Sequence, residues 1–251
     1  MQVVGYETAP GAGPAALLLS DEGAVEREYL DPGSELAYSL GDRHCAGALM
    51  ETGHVRCEGE AAPYCEEHTS RWACARCRGD CEKPLDSCDE EHAVYLAAFA
   101  PATFKVGVTR SWRLETRLRE QGADRAALVR TVADGRIARS LEADWTERVP
   151  DRVRVPEKLA GLHRGVDESA WRALLADFTV EETFAFDYGL DLEARPVPET
   201  LASGTVRGTK GRVLVLEGHG ATYAVDMRDL VGHELTPGAT DRELQSSLGS
   251  F

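Results

Sequence analysis

The feature that most constrains this chain is the crowding of cysteine and histidine between residues 44 and 92. All seven cysteines lie between Cys45 and Cys88, and the 163 residues that follow contain none. The same stretch has four histidines and few aliphatic side chains, so burial of apolar surface alone can hardly fold it. Such a composition is typical of a module that is held together by metal.

The spacing of these residues favours zinc. A zinc ion needs four nitrogen or sulfur ligands in a tetrahedron, and a C-x-x-C turn supplies two of them at little cost in chain entropy. Cys74-Ala-Arg-Cys77 is such a turn, and Cys65-Glu-Glu-His68 is its Cys/His counterpart. We therefore expect one or two structural zinc ions. The first would be held by Cys45, Cys57, Cys65 and His68, and the second by Cys74 and Cys77 with two of Cys81, Cys88 and His92.

Two alternatives to zinc are a disulfide framework and an iron–sulfur cluster. The odd number of cysteines and the lack of a signal peptide at the start of the sequence weigh against disulfides. The interleaved histidines favour zinc over an iron–sulfur cluster. His44 and His54 are interpreted as ordinary surface histidines.

The overall charge is strongly acidic. The 251 residues include 43 acidic and 28 basic side chains, which gives a formal net charge of −15. Only four of the basic residues are lysines, and asparagine is absent. This composition resembles that of proteins from salt-accumulating halophilic archaea. By its sign, the net charge argues against a polyanionic partner.

The basic residues are unevenly distributed. Between Lys105 and Arg130 the chain has seven basic and three acidic residues, whereas residues 41–92 have six basic and twelve acidic ones. A positive segment within an acidic protein is what a phosphate-facing surface requires. No apolar run approaches the roughly 20 residues of a membrane span, so we expect a cytoplasmic protein without a membrane partner.

The hydrophobic pattern predicts an α+β protein. Alternating runs indicate strands near both termini, which we expect to pair into a small barrel or meander. Two strands and a third over 126–132 surround a helix predicted over 112–120, with Ser111 as its cap and Gly122 closing it. Asp134 is expected to cap the next helix. The predicted units are an N-terminal β segment (1–43), the Cys/His module (44–92), an α/β domain with a helical extension (93–195), a C-terminal β domain (196–240) and a flexible tail (241–251).

Residues 93–145 resemble the GIY-YIG nuclease superfamily. Ala93-Val94-Tyr95 stands where the first motif of that superfamily would be, and Lys105-Val106-Gly107 where the second would be. Arg117 fits the helix arginine, with Arg113 as the alternative, and Glu142 fits the metal-binding glutamate. The central α/β unit is therefore expected to be GIY-YIG-like, with the zinc module as an insert.

A closer resemblance is to a conserved domain-of-unknown-function family of archaea and bacteria. It rests on C-x3-H followed, after Ala93, by VYLA, then KVGVTR, then the REQGA helix end. Members of that family join a Cys/His-rich module to a GIY-YIG-like segment. Cys65, His68, Cys81, Cys88 and His92 correspond to its metal positions.

The nuclease resemblance implies particular roles for four residues. Glu142 would hold Mg²⁺ or Mn²⁺, Arg117 would contact a phosphate oxygen, and Tyr95 would orient or deprotonate water. Lys105 replaces the tyrosine of the second motif and is a poor general base near neutral pH. A late asparagine of the superfamily has no counterpart in this chain.

Three functions are consistent with these residues. The leading hypothesis is a zinc-containing nucleic-acid-binding protein for DNA or RNA, either a divergent metal-dependent endonuclease or a descendant that binds without cutting. Its further contacts to nucleic acid would come from Arg110, Arg113 and Arg119. The second is a zinc-stapled module that binds protein partners and has no catalytic activity. The third is an enzyme that acts on another substrate in the same cleft.

Overall fold

The chain folds mainly into strands. The computed structural model describes residues 1–9, 13–69, 77–81 and 86–238. The strands are β1 (Gln2–Glu7), β2 (Ala16–Asp21), β3 (Ala24–Tyr29), β4 (Glu35–Arg43), β5 (Ala48–Met50), β6 (Gly53–Val55), β7 (His92–Phe99), β8 (Thr103–Arg110), β9 (Arg125–Val132), β10 (Glu182–Ala185), β11 (Val197–Pro198), β12 (Ala202–Lys210), β13 (Val213–Gly218), β14 (Ala221–Asp226) and β15 (His233–Pro237). The α-helices are α1 (Leu114–Gln121), α2 (Gly135–Trp145), α3 (Val155–Gly161), α4 (Glu168–Leu175) and α5 (Met227–Leu230).

The two ends of the chain form one large sheet. Its nine strands run in the order β11-β14-β13-β12-β4-β15-β1-β2-β3, and its pairs are antiparallel except for the parallel pair β11 and β14. Apolar side chains from both termini, such as Leu17, Leu214 and Met227, share one core. The expected pairing of terminal strands is therefore present, but in an open sheet.

The central segment forms a second, four-stranded antiparallel sheet in the order β10-β9-β7-β8. Strand β7 is buried on both faces because its side chains alternate between two cores. Tyr95 and Phe99 pack in one core with Leu118 of α1. Val94 and Leu96 pack in the other, where α2 and α4 cover the sheet.

Local signals position the helices around this sheet. The Asp134 side chain accepts a hydrogen bond from the backbone nitrogen of Arg136 at 2.6 Å, which makes it the N-cap of α2. Gly122 ends α1 with a left-handed φ of 70°, a conformation that favours glycine. The expected helix start at Ser111 is replaced by a 3-10 turn over Ser111–Arg113, and α1 begins at Leu114.

The predicted fold class is wrong. Strands make up 40% and helices 20% of the structure, and its largest unit is the nine-stranded mixed sheet without a closed barrel. The prediction of an α+β protein with a GIY-YIG-like unit relied on the central segment. It missed the large sheet because local patterns do not show how many distant strands join one sheet. No helix among the described residues has both the length and the apolar character that a membrane crossing requires.

A partly buried ion pair connects the two sheets. Lys210 of β12 reaches Asp124, which precedes β9, with 2.5 Å between Nζ and Oδ1. The other carboxylate oxygen of Asp124 accepts a hydrogen bond from the backbone nitrogen of Ala100 at 2.9 Å. These contacts hold the end of α1 against the large sheet, and they fix the position of the clefts described below.

Candidate metal centre and cationic cleft

Three cysteines and one histidine converge after β4. The ligand atoms of Cys45, Cys57, Cys65 and His68 all lie within 4.8 Å of one another. The Cys57 and Cys65 sulfurs are 3.9 Å apart, and the Cys65 sulfur lies 3.2 Å from Nδ1 of His68. In a tetrahedral site with Zn–S bonds near 2.3 Å, neighbouring sulfurs are separated by about 3.8 Å. The cluster is therefore compatible with a structural zinc-like ion, and it matches the first predicted ligand set.

The local backbone supports this cluster. Cys45 follows β4 and is fully buried, and its sulfur accepts hydrogen bonds from the backbone nitrogens of Gly47 and Cys65 at 3.4 and 3.3 Å. The backbone nitrogen of Gly59 lies 3.4 Å from the Cys57 sulfur. Such N–H donors stabilise thiolates. The hydrogen bond to His68 lowers the pKa of Cys65 to about 6, which favours the metal-binding form.

The remaining predicted ligands do not form a second cluster in the described residues. Cys74 lies outside them. In the part of the chain that the structure covers, no three of Cys77, Cys81, Cys88 and His92 have ligand atoms that all lie within 4.8 Å of one another. Nδ1 of His92 lies 2.8 Å from the backbone oxygen of Glu90. The second ion stays a prediction.

His44 and His54 are not part of the metal cluster. The His54 ring bridges Ser20 of β2 and the backbone oxygen of Ala46, with nitrogen–oxygen distances of 2.9 and 2.7 Å. Nε2 of His44 lies 3.3 Å from the Glu234 carboxylate. Both histidines therefore connect the metal-binding loops to the large sheet.

The four predicted catalytic residues line one cleft of about 660 Å³ at the edge of the four-stranded sheet. Tyr95 comes from β7, Lys105 from β8, Arg117 from α1 and Glu142 from α2. These elements are far apart in sequence, and only the packing of α1 and α2 around the β7–β8 hairpin brings the four side chains together. The cleft is rimmed by five arginines: Arg110, Arg113, Arg117, Arg139 and Arg152.

Tyr95 is a core residue at the base of this cleft. It is 1% exposed, and its hydroxyl oxygen accepts a 2.7 Å hydrogen bond from Nε2 of Gln121. Burial raises its pKa. Gly107 is the residue opposite on β8, and a Cβ there would lie 2.6 Å from the hydroxyl oxygen. The glycine therefore leaves room for the tyrosine ring.

Lys105 is a half-buried cation in the cleft. Burial and the nearby Arg117 lower its pKa to about 8, and the carboxylates of Glu142 and Asp151 partly oppose that shift. Among the described residues, the ammonium group makes no hydrogen bond or ion pair. Since an ammonium has three donors, Lys105 can bind an anion that enters the cleft.

Glu142 is already paired with a neighbour. Its Oε2 lies 2.6 Å from Nη1 of Arg139, and the two side chains are 13% and 18% exposed. No group of three metal-type ligands involves Glu142 within the described ranges. The predicted Mg²⁺ or Mn²⁺ at Glu142 is thus unsupported, and the carboxylate neutralises an arginine instead.

The predicted nucleic-acid contacts divide into two sets. Arg110 and Arg113 line the cleft with Arg117. Arg113 and Arg117 share the Glu120 carboxylate at 3.0 and 3.2 Å, so one negative charge serves two guanidinium groups. Arg119 is not in the lining of this cleft: it pairs with Glu115 at 2.9 Å and lies over the Phe186 ring.

The sequence did not indicate that Gln121, Arg139, Asp151 and Arg152 also line the cleft. The spacing of Gln121 from Arg117, four positions along α1, would have placed the two on one helix face. Arg139 lies three positions before Glu142 on α2, a spacing that indicates an ordinary ion pair on a helix surface rather than a cleft residue. Asp151 and Arg152 follow α2 in a loop, and no motif marks them.

Fold and site together define a mainly β protein with a Cys₃His cluster of the structural zinc type and, separate from it, a cationic cleft. The chain belongs to the family described as "Protein of unknown function (DUF2797)", whose model matches residues 39–235. No curated protein and no solved structure matches the chain. The family match confirms the resemblance to a domain of unknown function, while the likeness to GIY-YIG nucleases and the halophilic origin are not shown.

Proposed function

We propose that the cleft around Lys105 binds the phosphate groups of a nucleic acid without hydrolysing it, and that the Cys₃His cluster holds a structural zinc ion. The observation that carries the proposal is the ammonium group of Lys105, which makes no hydrogen bond or ion pair with the described residues, has the Glu142 and Asp151 carboxylates only at longer range, and lies within a rim of arginines. A buried cation is costly unless it is paired. A phosphate group would supply the missing partner.

The arginines of the rim can exchange their partners. Arg117 is half exposed and its contact to Glu120 is a surface ion pair, a type that contributes at most about 1 kcal/mol. A phosphate oxygen can accept the same guanidinium hydrogen bonds at similar or better strength. Replacing Glu120 with phosphate would also relieve the sharing of one carboxylate between Arg113 and Arg117.

Two features favour binding without cleavage. Hydrolysis needs a group that activates water, but burial raises the pKa of Tyr95, so the phenol stays protonated near neutral pH and cannot take a proton from water. It also needs a cation that stabilises the developing negative charge, and the Glu142 carboxylate, which the nuclease resemblance assigns to a metal ion, is paired with Arg139 instead. The basic side chains that remain can hold phosphate in place, which is sufficient for binding.

The zinc ion would stabilise the fold of the segment between β4 and His68. Cys45, Cys57, Cys65 and His68 would hold it, and it would join the loop after β4 to the β5–β6 hairpin and the turn that carries His68. This segment has few apolar side chains, so a metal would replace the missing core. None of the four ligands lines the cationic cleft, which separates the structural site from the binding site.

The test is the binding of fluorescently labelled DNA and RNA strands, measured by anisotropy, with a matched pair of variants on α1. We expect Arg117→Ala to weaken binding about 10- to 100-fold, because a charge-assisted hydrogen bond contributes about 1.5–3 kcal/mol. Arg119→Ala also removes a paired arginine from α1, but from outside the cleft, so it should change affinity less than about twofold.

The proposal is contradicted if Arg117→Ala and Arg119→Ala lose affinity for the nucleic acid equally, or if the wild-type protein does not bind nucleic acid. Incubation of labelled plasmid with Mg²⁺ or Mn²⁺ tests the second half of the proposal. Plasmid that remains intact is expected. Cleavage that is lost on Glu142→Ala would show that this protein is a nuclease after all.

A second candidate function is the binding of a protein partner. It is favoured by the β5–β6 hairpin, on which Leu49, Met50 and Val55 are exposed apolar side chains. This hairpin lies between the first two ligands of the metal cluster, so zinc would hold it in place. Failure of every nucleic acid to bind would make this the leading function.

A further inference from the structure

Trp112 is an exposed aromatic residue beside the cleft. It is 69% exposed, although tryptophan is usually well buried in folded proteins. It lies in the 3-10 turn over Ser111–Arg113 that joins β8 to α1. The guanidinium groups of Arg110 and Arg113, which both line the cleft, lie against the indole ring, so the ring is next to the lining of the cleft.

The ring is fixed in its exposed position. Its Nε1 donates a 3.0 Å hydrogen bond to the Glu90 carboxylate. The guanidinium carbon of Arg110 lies 4.6 Å from the ring centroid, and that of Arg113 lies 5.9 Å away, which are distances of cation–π contacts. A ring that is held before binding loses little conformational entropy when it stacks on a ligand.

We infer that the cleft takes single-stranded nucleic acid, with one base stacked on Trp112 and the neighbouring phosphates bound by Lys105 and the arginines. This inference rests on the proposed function, since it needs the cleft to bind phosphate. Exposed aromatic rings beside positive grooves are the stacking sites of proteins that bind single strands. In a duplex the bases are already stacked and paired, so none is available to the indole ring.

The positive surface continues beyond this cleft. A second cleft of about 670 Å³ lies between α1, α3 and the large sheet, and it shares Arg117 and Gln121 with the first. Its other basic residues are Arg154, Lys158, Lys210 and Arg212. Together the two clefts are lined by ten basic and four acidic side chains, in a chain of net charge −15. An extended strand can follow this path from Trp112 past Arg117.

The experiment separates stacking from phosphate binding. Three labelled probes of equal length are compared: oligothymidylate, the same backbone with abasic sites in place of every base, and a DNA duplex. We expect oligothymidylate to bind about 5- to 100-fold more tightly than the abasic strand, the range measured for loss of one base–aromatic stack. The duplex should bind more weakly than oligothymidylate.

Variants assign this difference to Trp112. Trp112→Ala should bring the affinity for oligothymidylate down to that for the abasic strand, and Trp112→Phe should keep most of the difference because phenylalanine also stacks. Tyr29→Ala is the matched control, since Tyr29 is 50% exposed on β3 and lies outside both clefts. It should leave all three affinities unchanged.

The inference is overturned if oligothymidylate and the abasic strand bind equally, if the duplex binds most tightly, or if Trp112→Ala leaves the difference intact. In each of these cases the abasic strand still binds and still depends on Arg117, so the proposed function survives. If instead the abasic strand and oligothymidylate both fail to bind, the proposed function itself is wrong.

Discussion

Replacing Lys105 with arginine tests whether this ammonium group is the cation that receives the phosphate. Burial and the charge of Arg117 lower the pKa of Lys105 to about 8. A phosphate beside it would favour the charged form and raise the pKa again. Binding above this pH must therefore take up a proton, and affinity falls as pH rises through the pKa of the free protein.

The size of the effect follows from the fraction of Lys105 that is protonated. With a pKa of about 8, about nine-tenths of the free protein carries the charge at about pH 7 and about one-tenth at about pH 9. The dissociation constant for a nucleic acid should therefore rise about tenfold between these two pH values. The phosphodiester groups stay anionic throughout, so they add no dependence of their own.

The assay is anisotropy of an abasic strand with a pH-insensitive dye, at constant ionic strength. The Lys105→Arg variant keeps its charge over this range and should show a much flatter profile. Lys158, which lines the neighbouring cleft, has its pKa lowered by burial to about 7, and its contribution would remain in both proteins. The assignment therefore depends on the difference between the two profiles, and it is refuted if the wild-type profile is flat or if the Lys105→Arg profile is as steep as that of the wild type.

Two further predictions concern stability and metal content. Gly107→Ala should lower the free energy of unfolding by about 1–3 kcal/mol in a denaturant titration, because the added Cβ would overlap Tyr95. The control is Gly165→Ala, where nothing lies within 4 Å of an added Cβ, and it should change the free energy of unfolding by less than about 0.5 kcal/mol. Equal effects of the two substitutions would show that Gly107 is not needed to make room for Tyr95. Elemental analysis of the purified protein should find at least one zinc ion per chain, and Cys45→Ser should remove one equivalent whereas His54→Gln should not. Zinc that is unchanged in Cys45→Ser would exclude this ligand set.

Several features of the fold could be predicted from local sequence because local contacts create them. The side chain of Asp134 caps the helix that follows it, and Gly122 ends α1 by adopting a left-handed conformation. Neither effect depends on distant residues. The first metal cluster was predicted for a related reason: its ligands lie within 24 residues of one another, in the C-x-x-H turn of Cys65 and His68 and the two cysteines that precede it.

Four residues of the cleft could be predicted from the sequence, but how far they are buried or engaged in ion pairs could not. The resemblance to nucleases named Tyr95, Lys105, Arg117 and Glu142, and all four line one cleft. It did not reveal that Tyr95 is buried or that Arg139 occupies the Glu142 carboxylate. These two facts change the expected chemistry from cleavage to binding, and they depend on how α1 and α2 pack against the β7–β8 hairpin.

The sequence by itself determined the residues of the Cys₃His cluster, the helix ends at Gly122 and Asp134 and the positive segment that begins at Lys105, because each arises from residue type and short spacing. Only the tertiary structure decided the nine-stranded sheet, in which β12 pairs with β4 and β15 with β1. It also decided the union of two clefts around Arg117 and the exposure of Trp112. Pairing between distant strands and the exposure of a side chain depend on the whole chain's packing, which no local pattern contains.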